Sequence, residues 1–183
     1  MKKSKKFLIY VGLISLFCQQ IVFAGNRPGA ITFTLSDAYY HFSSQRHIKN
    51  TGLPNIALAY DFDERWAVEA GAGVINTDPT PGANNGNRGI HGALYTLDGI
   101  YRFQKVKIFD PYVIAGIGIL GLKPITNQAE QQANINAGIG VQIFSGEDIA
   151  LRGEFRDLLI TTGAVKNDWM VNVGISILFG GKS

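Results

Sequence analysis

Residues 150–158 read Ala-Leu-Arg-Gly-Glu-Phe-Arg-Asp-Leu. Apolar and polar positions alternate along the stretch, the period of a β-strand whose successive side chains point to opposite sides. Arg152, Glu154 and Arg156 therefore share one face, opposite Leu151 and Phe155. Three charges on one face of a strand need either water or one another. The rest of the chain decides which.

Runs of about ten alternating residues closed by turn residues recur at 30–42, 54–62, 66–75, 93–103, 112–122, 133–144, 149–160 and 168–179. This is the pattern of membrane β-barrel strands. The connectors alternate in length: Asp63-Glu64-Arg65, Gln104 to Pro111 and Ser145 to Asp148 are short, whereas Asn76 to Gly92 is the longest of the other class. Short turns at one end and longer loops at the other are what an outer-membrane barrel shows. The expected fold is all-β, an eight-stranded antiparallel up-and-down transmembrane β-barrel over residues 25–183.

One face of these strands, with Phe33, Leu58, Leu97, Ile117, Ile139, Leu151, Phe155 and Val173 among its members, is apolar and carries no charge through the strand interiors. The other carries Thr32, Thr34, Asn55, Thr96, Asn134, Asn136, Gln142, Asn172 and Ser176, padded with glycines such as Gly116 and Gly140. Polar and very small residues suit the narrow interior of eight strands. An arginine turned to lipid costs about 2 to 4 kcal/mol at the midplane, so Arg152, Glu154 and Arg156 are expected in the lumen. Asp61, Glu69, Asp98 and Arg102 join them on the inward face. Four acids and three bases predict a paired network that closes the lumen, because an unpaired buried charge is far costlier than a paired one. Asp157 falls on the outward face and is expected at the rim, beside the connection Leu158 to Asn167. Phe62, Trp66, Tyr101, Phe103 and Phe179 gather toward the short turns, and Tyr39, Tyr95 and Trp169 toward the loops, as interfacial anchors do.

The N-terminus is set apart. Lys2, Lys3, Lys5 and Lys6 precede the apolar run Phe7 to Phe17 and then Val22-Phe23-Ala24, the layout of a secretory signal. The apolar core is too short to span a bilayer. Residues 1–24 are therefore expected to be a cleaved signal peptide, with cleavage between Ala24 and Gly25. A lipoprotein signal at Cys18 is the alternative, and the bulky Phe17 before it argues against it. Loss of the four lysines leaves 13 basic against 14 acidic residues, a net charge of −1. Nucleic-acid binding then lacks its electrostatic support. Cys18 is the sole cysteine, so no disulfide is expected in the exported chain.

Four segments carry a family resemblance: Pro111 to Gly118, Asn136 to Val141, Leu151 to Arg156, and Val173 to Gly180. Through them the chain resembles the eight-stranded outer-membrane β-barrel proteins related to the transmembrane domain of OmpA. The resemblance implies periplasmic termini, four surface loops and a lumen closed by charged pairs, with Glu154 and Arg156 matching that pattern best. It also implies passage through the barrel assembly machinery and contact with outer-membrane lipids and lipopolysaccharide. Many members continue into a peptidoglycan-binding domain, whereas this sequence ends at Ser183, so a tether through such a domain is not expected. Barrel-only members usually end on an aromatic residue; here Phe179 is followed by Gly180-Gly181-Lys182-Ser183.

The expected role is structural and surface-interactive, non-enzymatic, and set in the cell outer membrane of a Gram-negative-type envelope. A host or surface ligand would bind at the loops Ser44 to Leu53, Asn76 to Gly92, Lys123 to Gln132 and Ile160 to Asn167. Three alternatives stand beside it. A small-solute pore shares the fold. A lipid A deacylase-like barrel enzyme would use the His41-Phe42-Ser43 pair, a His activating a Ser nucleophile. A secreted lipocalin-like binder would need the apolar face turned inward. No catalytic residue, metal or cofactor is expected. Gly116-x-Gly118-x-x-Gly121 matches a dinucleotide fingerprint but runs into Lys123-Pro124 rather than a helix, and His41, His47 and His91 are spaced too widely for a metal site.

Overall fold

The computed structural model describes residues 25–80, 89–124, 130–162 and 165–181. The alternating runs form eight strands: β1 Ala30–His41, β2 Thr51–Asp61, β3 Trp66–Thr77, β4 Ile90–Arg102, β5 Phe109–Pro124, β6 Glu130–Phe144, β7 Ile149–Ile160 and β8 Lys166–Gly180. Each pairs antiparallel with the next, and β1 closes on β8 to complete a barrel. Phe33 lies between Leu58 of β2 and Ile177 of β8, so this apolar row runs across the seam. Closure leaves no open sheet edge, the condition for a sheet to stand in lipid.

Several strands run further toward the loops than alternation alone indicates. β2 begins at Thr51, β4 at Ile90, and β5 extends from Phe109 to Pro124. Glycine and proline, such as Gly52, Pro54 and Gly92, blur the period in these extensions. The ladder nonetheless continues, with Asn76 paired to His91 and His91 to Lys123. Residues 81–88 and 125–129 of the two intervening connections, and Ala24 at the expected cleavage point, lie outside the described residues.

Ile117, Ile139, Leu35, Leu58, Leu97 and Val173 stand exposed on the outer wall. Toward the short turns Trp66 packs on Tyr101 at 4.8 Å and Tyr60 on Phe62 at 5.4 Å. Toward the loops Tyr39 meets Trp169 at 5.9 Å and His41 stacks on the same indole at 4.6 Å. Amphipathic rings at both ends are the arrangement of an interfacial belt. Asp157 is exposed on the outer wall opposite Trp169, which puts it at the level of the loop-side aromatic cluster.

Turn chemistry is clearest at residues 62–65, where Asp63 Oδ1 accepts from the amides of Arg65 and Trp66, both at 2.7 Å. Those two bonds, Trp66 foremost, hold the Asp63 carboxyl below its ordinary range.

Candidate functional site

Every second residue of a strand points its side chain inside the barrel, so the lumen is built from alternate residues of all eight strands. All seven charged residues assigned to it from alternation are buried inside: Asp61, Glu69, Asp98, Arg102, Arg152, Glu154 and Arg156. They are not one cluster.

The middle layer holds five of them. Arg152 and Arg156 project from β7, two residues apart, with Glu154 between them. Arg152 makes two hydrogen bonds to Glu69 of β3, the Nη2 bond measuring 3.0 Å, and its Nη2 also reaches Glu154 at 2.6 Å. Arg156 reaches Asp98 of β4 at 2.7 Å and Glu154 at 2.7 Å. Glu69 and Asp98 are direct cross-strand partners, a like-charge pair that would repel without the guanidinium groups reaching them from β7. Charge-assisted and bidentate bonds of this kind are the strong class.

Tyr112 of β5 belongs to the same layer. Its hydroxyl accepts from Arg152 Nε at 2.7 Å and donates to Glu154 at 2.8 Å, and the Arg152 guanidinium lies 5.1 Å from its ring centre. The ring fits because position 140 is glycine: a Cβ there would fall 2.2 Å from Tyr112 Cζ. Gly116 similarly opens space for Asp98, whose Oδ1 would lie 2.3 Å from an added Cβ. Alternation places Tyr112 inward with Gly116 and Gly118, so its parity was the available signal.

A second layer closes the turn end. Arg102 pairs with Asp61 at 2.8 Å, and Thr32 donates to Asp61. The segment before β1 folds under the barrel mouth: Asn26 Nδ2 donates to Asp110 at 2.6 Å and Gln142 at 3.2 Å, and Arg27 pairs with Asp148 at 2.5 Å. Asp110, expected in a turn, is buried at the start of β5. Lys105 crosses the Phe144 ring at 4.8 Å, and its ammonium is pushed below its ordinary pKa by burial, against the pull of Asp110.

The third layer corrects the expectation of a uniformly polar and small interior. Tyr40, Leu53, Ile75, Leu94, Leu120, Leu158, Ile160 and Met170 pack together in the loop-side part of the lumen. Leu158 and Ile160 share the inward parity of Arg156, and Leu120 that of Gly118, so the signal was present. A cavity of about 30 Å³ is lined by residues of both the apolar and ionic layers, among them Leu94, Met170, Glu69 and Arg152. It has room for only a few waters.

Phe42 closes the first expected strand, and Ser44 to Leu53 is the first expected surface loop. Residues 42–50 instead turn back over the mouth. Phe42 is buried against Tyr40 at 4.6 Å, and Ile48 packs on the apolar layer. Ser44–Arg46 makes one 3₁₀ turn. The next loop joins it: Lys49 N donates to Asp78 O, Thr80 N to His47 O, and Thr77 Oγ1 to Lys49 O.

The three histidines stay apart. His41 Nδ1 meets Asn50, His91 Nδ1 meets Asn76, and His47 ends the 3₁₀ turn. Among the described residues no hydrogen bond joins His41 to the Ser43 hydroxyl, and no group of three or more His, Cys, Asp or Glu is placed to hold a metal.

The model of the outer membrane protein β-barrel domain matches residues 9–177. Outer membrane porin F of Pseudomonas aeruginosa is 26% identical over 150 residues, covering 78% of this chain and 42% of that protein, so the chain spans about two-fifths of its relative's length. The N-terminal β-barrel domain of Pseudomonas aeruginosa OprF superposes with a TM-score of 0.65 at 17% identity, covering 84% of this chain and all of that one. OprG of the same organism superposes at 0.64 and 15% identity, covering 86% and 99%.

Proposed function

Since the chain belongs to the outer membrane protein β-barrel family and resides in the outer membrane, we propose that it is a sealed barrel. Its role is structural, with surface interaction through its outer loops, and neither solute transport nor catalysis is its task. The observation that carries this reading is the filling of the lumen at three successive levels: the Arg102–Asp61 layer, the layer of Arg152, Arg156, Glu69, Glu154 and Asp98, and the apolar layer around Leu158 and Leu120. An aqueous path would have to break charge-assisted bonds and also wet an apolar constriction. Outer-membrane lipids and lipopolysaccharide cover the wall, and the barrel assembly machinery inserts it. A surface ligand is met by the loops joining β3 to β4, β5 to β6 and β7 to β8. Residues 1–24 serve as the signal peptide, removed between Ala24 and Gly25.

The non-enzymatic part is supported by the surroundings of the His-x-Ser pair. The His41 imidazole is engaged by Asn50 and Trp169, and the Ser43 amide is bonded to Asp168. A small-solute pore is the second reading, favoured by the similarity to outer membrane porin F. Single-channel recording of the folded protein in a planar bilayer separates the two. The sealed reading expects no reproducible steps. Steady conductance altered by neutralising Arg152 or Glu154 would replace it with the pore reading.

A further inference from the structure

At the loop-side mouth, Asp168 of β8 is the centre of a second buried ionic site, separated from the middle layer by the apolar packing. Its side chain is 0% exposed and that of Arg46 only 2%. Arg46 Nε lies 3.1 Å from the carboxylate, the Ser43 amide donates to Oδ1 at 2.8 Å, and the Tyr40 hydroxyl donates to Oδ2 at 3.0 Å. One carboxylate of the barrel wall thus gathers three donors, two of them from the segment 42–50. That segment is stapled at its base by Asn50, whose Oδ1 accepts from Phe42 N at 3.1 Å and whose Nδ2 contacts the Tyr39 hydroxyl at 3.0 Å. Between base and latch, His47 takes a left-handed φ of 51°, a conformation uncommon outside glycine. The folded-in turn therefore carries some backbone strain that the bonds to Asp168 offset.

We propose that the segment 42–50 is a hinged lid on the outer mouth, latched by Arg46 and Asp168 and seated on the apolar plug, so that the outer seal opens independently of the middle ionic layer. Three features point to a lid rather than fixed wall. The segment lies outside the barrel ladder, the polar hold on its 43–46 part converges on the single carboxylate of Asp168, and residues 47–49, bonded to Thr77, Asp78 and Thr80, form with the Asn50 staple the hinge side that stays in place when that hold is released. Beneath it lie Ile160 and Leu158, both 0% exposed, which an open lid would uncover. The inference rests on the sealed-lumen reading for its meaning, but its test does not involve conductance.

The experiment measures thiol labelling of the folded protein by a charged, water-soluble maleimide. Ile160→Cys reports on the space under the lid, and Ser44→Cys on the lid's exposed surface. With the latch intact, Ile160→Cys should label far more slowly than Ser44→Cys. Adding Asp168→Asn should speed Ile160→Cys roughly a hundredfold, because breaking a buried pair is costly and labelling tracks the open population. Tyr40→Phe, which keeps the carboxylate and removes one donor, should speed it by roughly three- to tenfold. Ser44→Cys should be indifferent to both. Equal labelling of the two cysteines with the latch intact overturns the lid, as does an unchanged Ile160→Cys rate in folded Asp168→Asn and Tyr40→Phe backgrounds. If Asp168→Asn does not fold, Tyr40→Phe decides alone. A conducting wild-type barrel would sink the sealed-lumen reading without touching this result.

Discussion

Arg152 of β7 and Glu69 of β3 bond across the width of the barrel, from strands separated by three others in either direction around the wall. Their link ties opposite walls together. Replacing Glu69 by Ala leaves Arg152 without its cross-lumen partner and removes a contact of Arg156, and should destabilise the folded barrel by about 3 to 5 kcal/mol. The loss should be non-additive with that of Arg152→Met, because the two side chains share a bond that either change removes. Urea unfolding in lipid vesicles measures both. Additive losses in the double variant would contradict the pairing.

Tyr112→Phe keeps the ring against Arg152 and removes the hydroxyl that links Arg152 to Glu154. The cost should be about 1.5 to 3 kcal/mol, the range for hydrogen bonds to charged groups. A double-mutant cycle with Arg152→Met should then show strong coupling, at least about 0.5 kcal/mol, because the two sites share partners. Additive effects would place Tyr112 outside the network.

Glycines of opposite faces should respond differently. A Cβ at Gly116 would meet Leu97 O at 2.2 Å and Asp98 Oδ1 at 2.3 Å, whereas a Cβ at Gly153 meets nothing within 4 Å. Gly116→Ala should cost about 1 to 3 kcal/mol through forced displacement. Gly153→Ala should stay within about 0.5 kcal/mol. Equal unfolding midpoints for the two variants would contradict the close approach at Gly116.

Ile139 stands on the outer wall at 63% exposure. Arginine there should cost about 2 to 4 kcal/mol if it lies near the midplane, whereas arginine at Tyr39, in the loop-side aromatic cluster, should cost nearer 0 to 1 kcal/mol from depth alone. Folding titrations into vesicles of defined thickness test the difference. The reverse order would mean that the barrel sits at another depth.

The Asp63 carboxylate is held below its usual range by the amides of Trp66 and Arg65. A lowered folded pKa contributes stability that is fully present above the unfolded value of about 3.9 and is lost as pH falls through the lower folded value. The Trp66 amide resonance should therefore titrate with a midpoint below that of a free carboxylate. Asp63→Asn, which keeps an acceptor, should preserve the turn at every pH. A midpoint at or above the ordinary value would show that the two amide bonds do not form.

Alternation was enough to reveal eight strands, an apolar outer face and the inward direction of Arg152, Glu154 and Arg156, because the two-residue period is a property of each strand by itself. Parity also held the apolar plug in view, at Leu120, Leu158 and Ile160. Leu53 and Ile90 of the same plug are less legible, because Gly52, Pro54 and Gly92 blur the period beside them. Which charges meet is another matter. Arg152 finds Glu69 rather than Asp61, and Arg46 finds Asp168 at a separation of 122 residues, because partners in the lumen are selected by strand register and barrel closure. The fold-back of residues 42–50 was equally illegible. Its donors to Asp168 are one backbone amide and one arginine in a polar stretch, and only the assembled mouth, with Asp168 buried at its edge and an apolar surface beneath, makes the inward position favourable.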